Sequence, residues 1–132
     1  MSINKKTIGI IGTGIIGLPI AINLIKKNFI IHAYARNKRK HLELKKQGII
    51  VDENLDRFFS SIDVLILAVS DTKDVKSLLV GKSGLMYSTK KPSIVIDMST
   101  ICPIETINIS TVLANHKVSF IDAPVSGGEI GA

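Results

Sequence analysis

At 132 residues the chain has room for one domain with a real core and too little for two ordinary ones. Hydrophobic residues make up 45% but aromatics only 5%, with no Trp, so the core must come from Ile, Leu and Val, which suit buried parallel strands. A single cysteine, Cys102, excludes a disulfide framework or a Cys-rich metal site, and without a convincing export signal the cytoplasm is the default expectation.

Residues 8–11 read as a short apolar strand, Gly12, Gly14 and Gly17 as a tight turn, and the apolar stretch after them as a helix to about Lys27. Strand, G-x-G-x-x-G and helix in that order make a dinucleotide-type turn. The first glycine permits the bend, the second lets backbone approach a pyrophosphate, and the third lets helix and strand pack closely. The start of the helix adds unpaired N–H groups and a partial positive charge. The nineteen uncharged residues 7–25 are also long enough for a membrane span or signal peptide, but four glycines and Pro19 break the run, so neither is expected. Pro19 requires either that the helix begin later than Ile15 or that it forfeit a hydrogen bond.

A second strand follows at residues 29–34, then a charged helical segment at 38–47 stopped by Gly48, and a short strand at 49–51. Residues 54–61 form a short helix and 63–69 the plainest strand of the chain; 72–80 is a helix ended by Gly81. Residues 93–97 give a fifth strand. Pro103 opens a helix with Ile104, Ile107, Val112 and Leu113 available to face a sheet, and residues 118–122 complete the set. Strands alternating with helices mean βαβ units. The expected class is α/β: a Rossmann-type, doubly wound, mainly parallel sheet of about six strands in one domain over residues 1–132. In such sheets ligands sit beyond the carboxyl ends of the strands, here at residues 12–17, 35–37, 69–74, 97–103 and 122–128.

An NAD-binding unit of this kind carries an acidic residue at the end of its second strand for the ribose 2′-hydroxyl. Here that strand ends in Tyr34-Ala35-Arg36-Asn37, without Asp or Glu. An arginine there pairs with a 2′-phosphate, so NADP is expected over NAD, against the plainer reading of Arg36 as a surface residue. The net charge of +6 is densest over residues 36–40 and at Lys45-Lys46. With no interleaved aromatics to stack bases, a solvated helix face with one phosphate-binding position accounts for it, and no nucleic-acid partner is expected. Ser70, Asp71 and Thr72 either line a cleft or cap the next helix, and Ser99 and Thr100 have the same two readings. Ser126, Gly127 and Gly128 after the last strand expose N–H groups that suit an anion such as a carboxylate, though alone they are a plain turn.

Three ordered motifs cover nearly the whole chain: residues 12–24, then Asp97-Met98-Ser99-Thr100-Ile101-Cys102-Pro103, then Asp122-Ala123-Pro124-Val125-Ser126-Gly127-Gly128, with Leu79-Val80-Gly81 and Gly84-Leu85 between. Together they closely resemble the β-hydroxyacid dehydrogenases, the group of 3-hydroxyisobutyrate dehydrogenase and tartronate semialdehyde reductase, related to 6-phosphogluconate dehydrogenase. The resemblance implies that Gly12, Gly14, Ile15, Ile16 and Gly17 cradle the pyrophosphate and that Arg36 sits at the adenosine ribose. Val69, Ser70 and Asp74 would border the cofactor, NADP or NAD, with Thr100 near the nicotinamide ribose. Ser126, Gly127 and Gly128 would meet the carboxylate of a small hydroxy acid. Thr13, Asn28, Ala35 and the run Ala68-Val69-Ser70-Asp71 depart from the family's usual residues. Family members continue past the position of Ala132 into a helical domain that carries the catalytic lysine and much of a dimer contact. The family's lysine is therefore expected beyond Ala132, with no catalytic residue in this chain. The chain is expected to be inactive alone, to leave apolar docking surface wet, and to act in a homo-oligomer when full length. The alternatives are a non-catalytic dinucleotide-binding module, which turnover of a 3-hydroxy acid would refute, and a basic nucleic-acid binder, which steep salt dependence would reveal.

Overall fold

The computed structural model describes residues 6–125. The elements run β1 (Thr7–Ile11), α1 (Gly17–Lys26), β2 (Ile30–Tyr34), α2 (Lys38–Lys46), β3 (Ile50–Asp52), α3 (Leu55–Ser60) and β4 (Val64–Leu67). They continue with α4 (Thr72–Val80), a 3₁₀ turn at Leu85–Tyr87, β5 (Ile94–Asp97), α5 (Pro103–Asn115) and β6 (Ser119–Asp122). All strand pairs are parallel, and the sheet order is β3-β2-β1-β4-β5-β6. The expected doubly wound α/β fold is therefore the observed one.

Alternation along the central strands explains why the sheet is covered twice. Leu65 and Leu67 of β4 point to a core with Phe58, Phe59, Val75, Leu79, Ile109 and Leu113, from α3, α4 and α5. Ile66, between them, points the other way, to a core with Ile8, Ile10, Ala21, Ile31 and Leu44, which α1 and α2 cover. Each such buried Leu, Ile or Phe contributes about 1.5–3 kcal/mol relative to exposure.

Local signals set the element ends. Asn37, Asn54 and Asp71 cap α2, α3 and α4, each accepting a backbone N–H through its side chain at 2.9–3.0 Å. Helices α1, α2 and α5 all end in Schellman motifs, the last turn closed by Phe29 N–H to Leu24, Ile49 N–H to Leu44 and Val118 N–H to Leu113. Asn28 (φ 68°), Gly48 (φ 86°) and Lys117 (φ 61°) take the left-handed position there, so Asn28 does the work of the glycine it replaces. Helix α1 begins at Gly17, not Ile15, which places Pro19 in the first turn, where a missing N–H costs least.

One expectation is corrected. On α5 only Leu113 of the four expected residues is buried, together with Ile109; Ile104 and Ile107 are 69% and 65% exposed, and Val112 is exposed too. Ile109 and Leu113 are four apart and share one stripe, while Ile104 and Ile107 lie on the far arc and Val112 on the flank of the stripe. Helix α5 packs chiefly on β6, at the sheet edge, so only that narrow stripe is covered.

Candidate functional site

Strand β1 is flanked by β2 on one side and β4 on the other, so the chain winds outward in opposite directions from it. The loops after β1 and β4 therefore part at their carboxyl ends and open a crevice. It holds about 240 Å³ and is lined by Ile16, Ala68, Val69, Ser70, Met98, Ser99, Thr100 and Val125.

The glycine turn forms one wall. Gly12 has φ +98°, and a Cβ there would strike the backbone carbonyl oxygen of Ala68; a Cβ on Gly17 would strike the carbonyl oxygen of Gly12. These two positions hold β1, α1 and the end of β4 together at backbone contact. Gly14 is different: a Cβ there has nothing within 4 Å and would enter open space. Ile15 beside it is 73% exposed. The amides of Gly14, Ile15 and Ile16 have no hydrogen bond among the described residues, and α1 has neither a side-chain cap nor an acidic residue in its first turn. That combination leaves the donors and the dipole of α1 available to an anion.

The opposite wall is fixed by a short hydrogen-bond chain. Ser99 Oγ accepts the N–H of Val69 at 3.0 Å, the N–H of Ser99 donates to Asp97 Oδ1 at 2.9 Å, and the Asp97 carbonyl accepts from Ala123 N–H at 2.8 Å. Asp97 is fully buried, and its Oδ2 has no partner among the described residues. Burial pushes its carboxyl above the ordinary aspartate range, against the bonds from Ser99, and the facing Asp122 adds to the push. The folded state then holds a proton that the unfolded state has released, so stability falls as pH rises from about 4 to where the folded Asp97 ionises. Urea midpoints across that range should show this slope in the native protein and lose it in Asp97→Asn; parallel profiles would contradict the assignment.

A second cavity, about 380 Å³, lies beyond β2 and is lined by Tyr34, Arg36, Leu55, Ser77, Leu78, Lys82 and Ser83. Its loop is held by His41, whose Nε2 meets the Ala35 carbonyl at 2.6 Å and whose Nδ1 lies 3.3 Å from Glu53. A larger hollow of about 510 Å³ adjoins it, sharing Tyr34, Leu55, Lys82 and Ser83, but it lies away from the crevice where β1, β4 and β5 end.

Most of the sequence-derived residues fall in these places. Ile16, Val69, Ser70 and Thr100 line the crevice, and Arg36 lines the second cavity. Asp74 lines neither; its N–H is the one that Asp71 caps. Thr72 Oγ1 accepts from Cys102 N–H at 3.0 Å and ties α4 to the start of α5. Ser126, Gly127 and Gly128 lie outside the described residues, as does Ala132, beyond which the resemblance puts the catalytic lysine. Met98 and Val125 in the crevice fall within the segments expected at the ligand end of the sheet without having been singled out, whereas Ala68 in the crevice and Ser77, Lys82 and Ser83 beside Arg36 were missed. Among the described residues no group of three His, Cys, Asp or Glu is placed to hold a metal, and no helix is long and apolar enough to cross a membrane.

A glycine turn with an open second glycine, at the switch point of a 3-2-1-4-5-6 parallel sheet, defines a dinucleotide-binding α/β domain. The chain belongs to the family of the NAD-binding domain of 6-phosphogluconate dehydrogenase, which it matches over residues 7–132, through Ala132. It is 35% identical over 125 residues to 2-hydroxy-3-oxopropionate reductase of Escherichia coli K12, covering 95% of this chain and 42% of that one. It is 30% identical to 2-(hydroxymethyl)glutarate dehydrogenase of Eubacterium barkeri, with the same coverage. Among solved structures, Psf3 in complex with NADP+ and 2-OPP superposes with a TM-score of 0.86 at 27% identity, over 95% of this chain and 44% of that one. The chain thus spans less than half the length of these relatives.

Proposed function

We propose that this chain is the cofactor-binding part of an oxidoreductase that interconverts a short 3-hydroxy acid and its semialdehyde, with NADP preferred over NAD. The observation that carries the reading is Gly14: alone of the three motif glycines, it faces open space, two residues before Ile16, which lines the crevice. Gly12, Gly14, Ile15, Ile16 and Gly17 would cradle the pyrophosphate, with the free amides of Gly14, Ile15 and Ile16 as its donors. Val69, Ser70 and Thr100 would border the nicotinamide end, and Arg36 the adenosine ribose. When bound, the nicotinamide supplies or accepts a hydride, and a positioned base must exchange the alcohol proton. The chain's own part is to orient the cofactor: the Ser99–Val69 bond fixes the crevice wall, and Ser126, Gly127 and Gly128 would receive the substrate carboxylate. We assign the base to a residue outside the motifs described; the hydroxy-acid substrate is proposed from the names of the relatives, and pairing with a second subunit belongs to the same proposal.

Calorimetric titration with NADPH and with NADH tests it. NADPH should bind more tightly, and Arg36→Ala should weaken NADPH by about 10- to 100-fold, the worth of a charge-assisted hydrogen-bonded pair, while NADH changes little. Equal losses for both would remove the NADP preference; no binding of either by the folded protein would remove the reading.

A further inference from the structure

The cavity beside Arg36 has a second cation. Helix α4 ends at Val80, and a tight turn follows in which Gly84 N–H donates to the Gly81 carbonyl at 2.9 Å, with Lys82 and Ser83 at its tip. A Cβ on Gly81 would strike the Ser77 carbonyl oxygen, and one on Gly84 would come within 2.7 Å of the Leu78 carbonyl oxygen, so the turn is pressed onto the end of the helix and its tip is fixed. Lys82 thereby lines the same 380 Å³ cavity as Arg36.

Both cations are uncommitted. Among the described residues neither Arg36 nor Lys82 makes a side-chain hydrogen bond or ion pair, and the hydroxyls of Ser77 and Ser83 are equally free. Two acids, Glu53 and Asp56, line the adjoining hollow that Lys82 also borders, and both are engaged: Glu53 lies 3.3 Å from His41, and Asp56 accepts from the Thr89 N–H at 2.6 Å and the Thr89 hydroxyl at 3.0 Å. Two like charges share one cavity with no carboxylate between them, an arrangement that an anion of two charges would relieve.

We propose that Lys82 is a second specificity residue for the cofactor, closing on the 2′-phosphate of NADP from the side opposite Arg36. Arg36 offers a planar fork and Lys82 a compact point charge, so the two take different oxygens of one phosphate, and the serine hydroxyls can donate to a third. The inference rests on the NADP reading above but is separable from it.

The test is titration of the wild-type protein, Lys82→Gln and Arg36→Ala with NADPH, NADH, adenosine 2′,5′-bisphosphate and 5′-AMP. Lys82→Gln should weaken NADPH and the bisphosphate by roughly three- to tenfold, as a partly exposed charge-assisted contact does, and leave NADH and 5′-AMP within about twofold. Lys82→Arg should restore most of the loss. The unchanged NADH affinity also shows that the variant is folded. A wild-type preference for NADPH that survives Lys82→Gln intact would overturn the role of Lys82 and leave that of Arg36 standing. Equal losses for NADPH and NADH would overturn it too, and a wild type indifferent to the 2′-phosphate would overturn both.

Discussion

Gly12→Ala should cost about 2–6 kcal/mol of folding free energy and with it all dinucleotide binding. Two penalties add. The residue has φ +98°, which for a residue with a Cβ costs about 1–3 kcal/mol. The new Cβ would also run into the Ala68 carbonyl, and backbone cannot swing aside as a flexible side chain can. Ala68 is itself bonded to Ile11 through its N–H at 2.9 Å, so relief means parting β1 from β4, the two strands at the centre of the sheet. Forced overpacking of this kind costs a further 1–3 kcal/mol or so. Against a total stability of about 5–15 kcal/mol for a domain, that is a large fraction. Urea denaturation provides the measurement; a midpoint equal to that of the native protein would show that the turn does not hold β1, α1 and β4 together.

The same contacts show why the fold was legible in the residues. Strand β4, Val64-Leu65-Ile66-Leu67, is uncharged and aliphatic because it is covered on both faces, and a short apolar run of that kind between Asp63 and Asp71 reads as a buried strand. Helix starts were legible because Asn37, Asn54 and Asp71 cap through their own side chains, a purely local event. The face of α5 was not, because periodicity tells which residues share a stripe but not how much sheet lies beneath it. Helix α5 lies at the edge, so the stripe of Ile109 and Leu113 suffices, and Ile104 and Ile107 are left outside.

The site divides along the same line. The crevice residues that follow directly after a strand were predictable, because a parallel sheet puts every such loop on one side. Lys82 was not, because it comes after a helix, in a loop that ordinarily belongs to the opposite end of the sheet. Only the tight fold-back of the turn onto α4 brings it to Arg36, 46 positions earlier in the chain. The buried Asp97 was invisible for a related reason. Its role in fixing Ser99 depends on a neighbour two residues away, but its surroundings include β6, which sequence order alone does not place.

Gly14→Ala should give the opposite result to Gly12→Ala: a folded protein that no longer holds the dinucleotide. Nothing lies within 4 Å of the added methyl, and its φ lies outside the left-handed region reserved for glycine. Stability should change by less than about 0.5 kcal/mol, or rise slightly, since alanine restricts the unfolded chain. The methyl would instead occupy the open space onto which the unpaired amides of Gly14, Ile15 and Ile16 give, between the phosphates and their donors. A phosphate kept even an ångström from those amides loses charge-assisted hydrogen bonds that have no substitute. Two of them are worth on the order of 3 kcal/mol, or about 100-fold in affinity. NADPH and NADH should suffer alike, because the pyrophosphate is common to both, and that equality separates this site from Arg36 and Lys82. A variant that melts with the native protein and still binds NADPH as tightly would mean that the pyrophosphate lies elsewhere, and the glycine turn would then be only a device for packing α1 against the sheet.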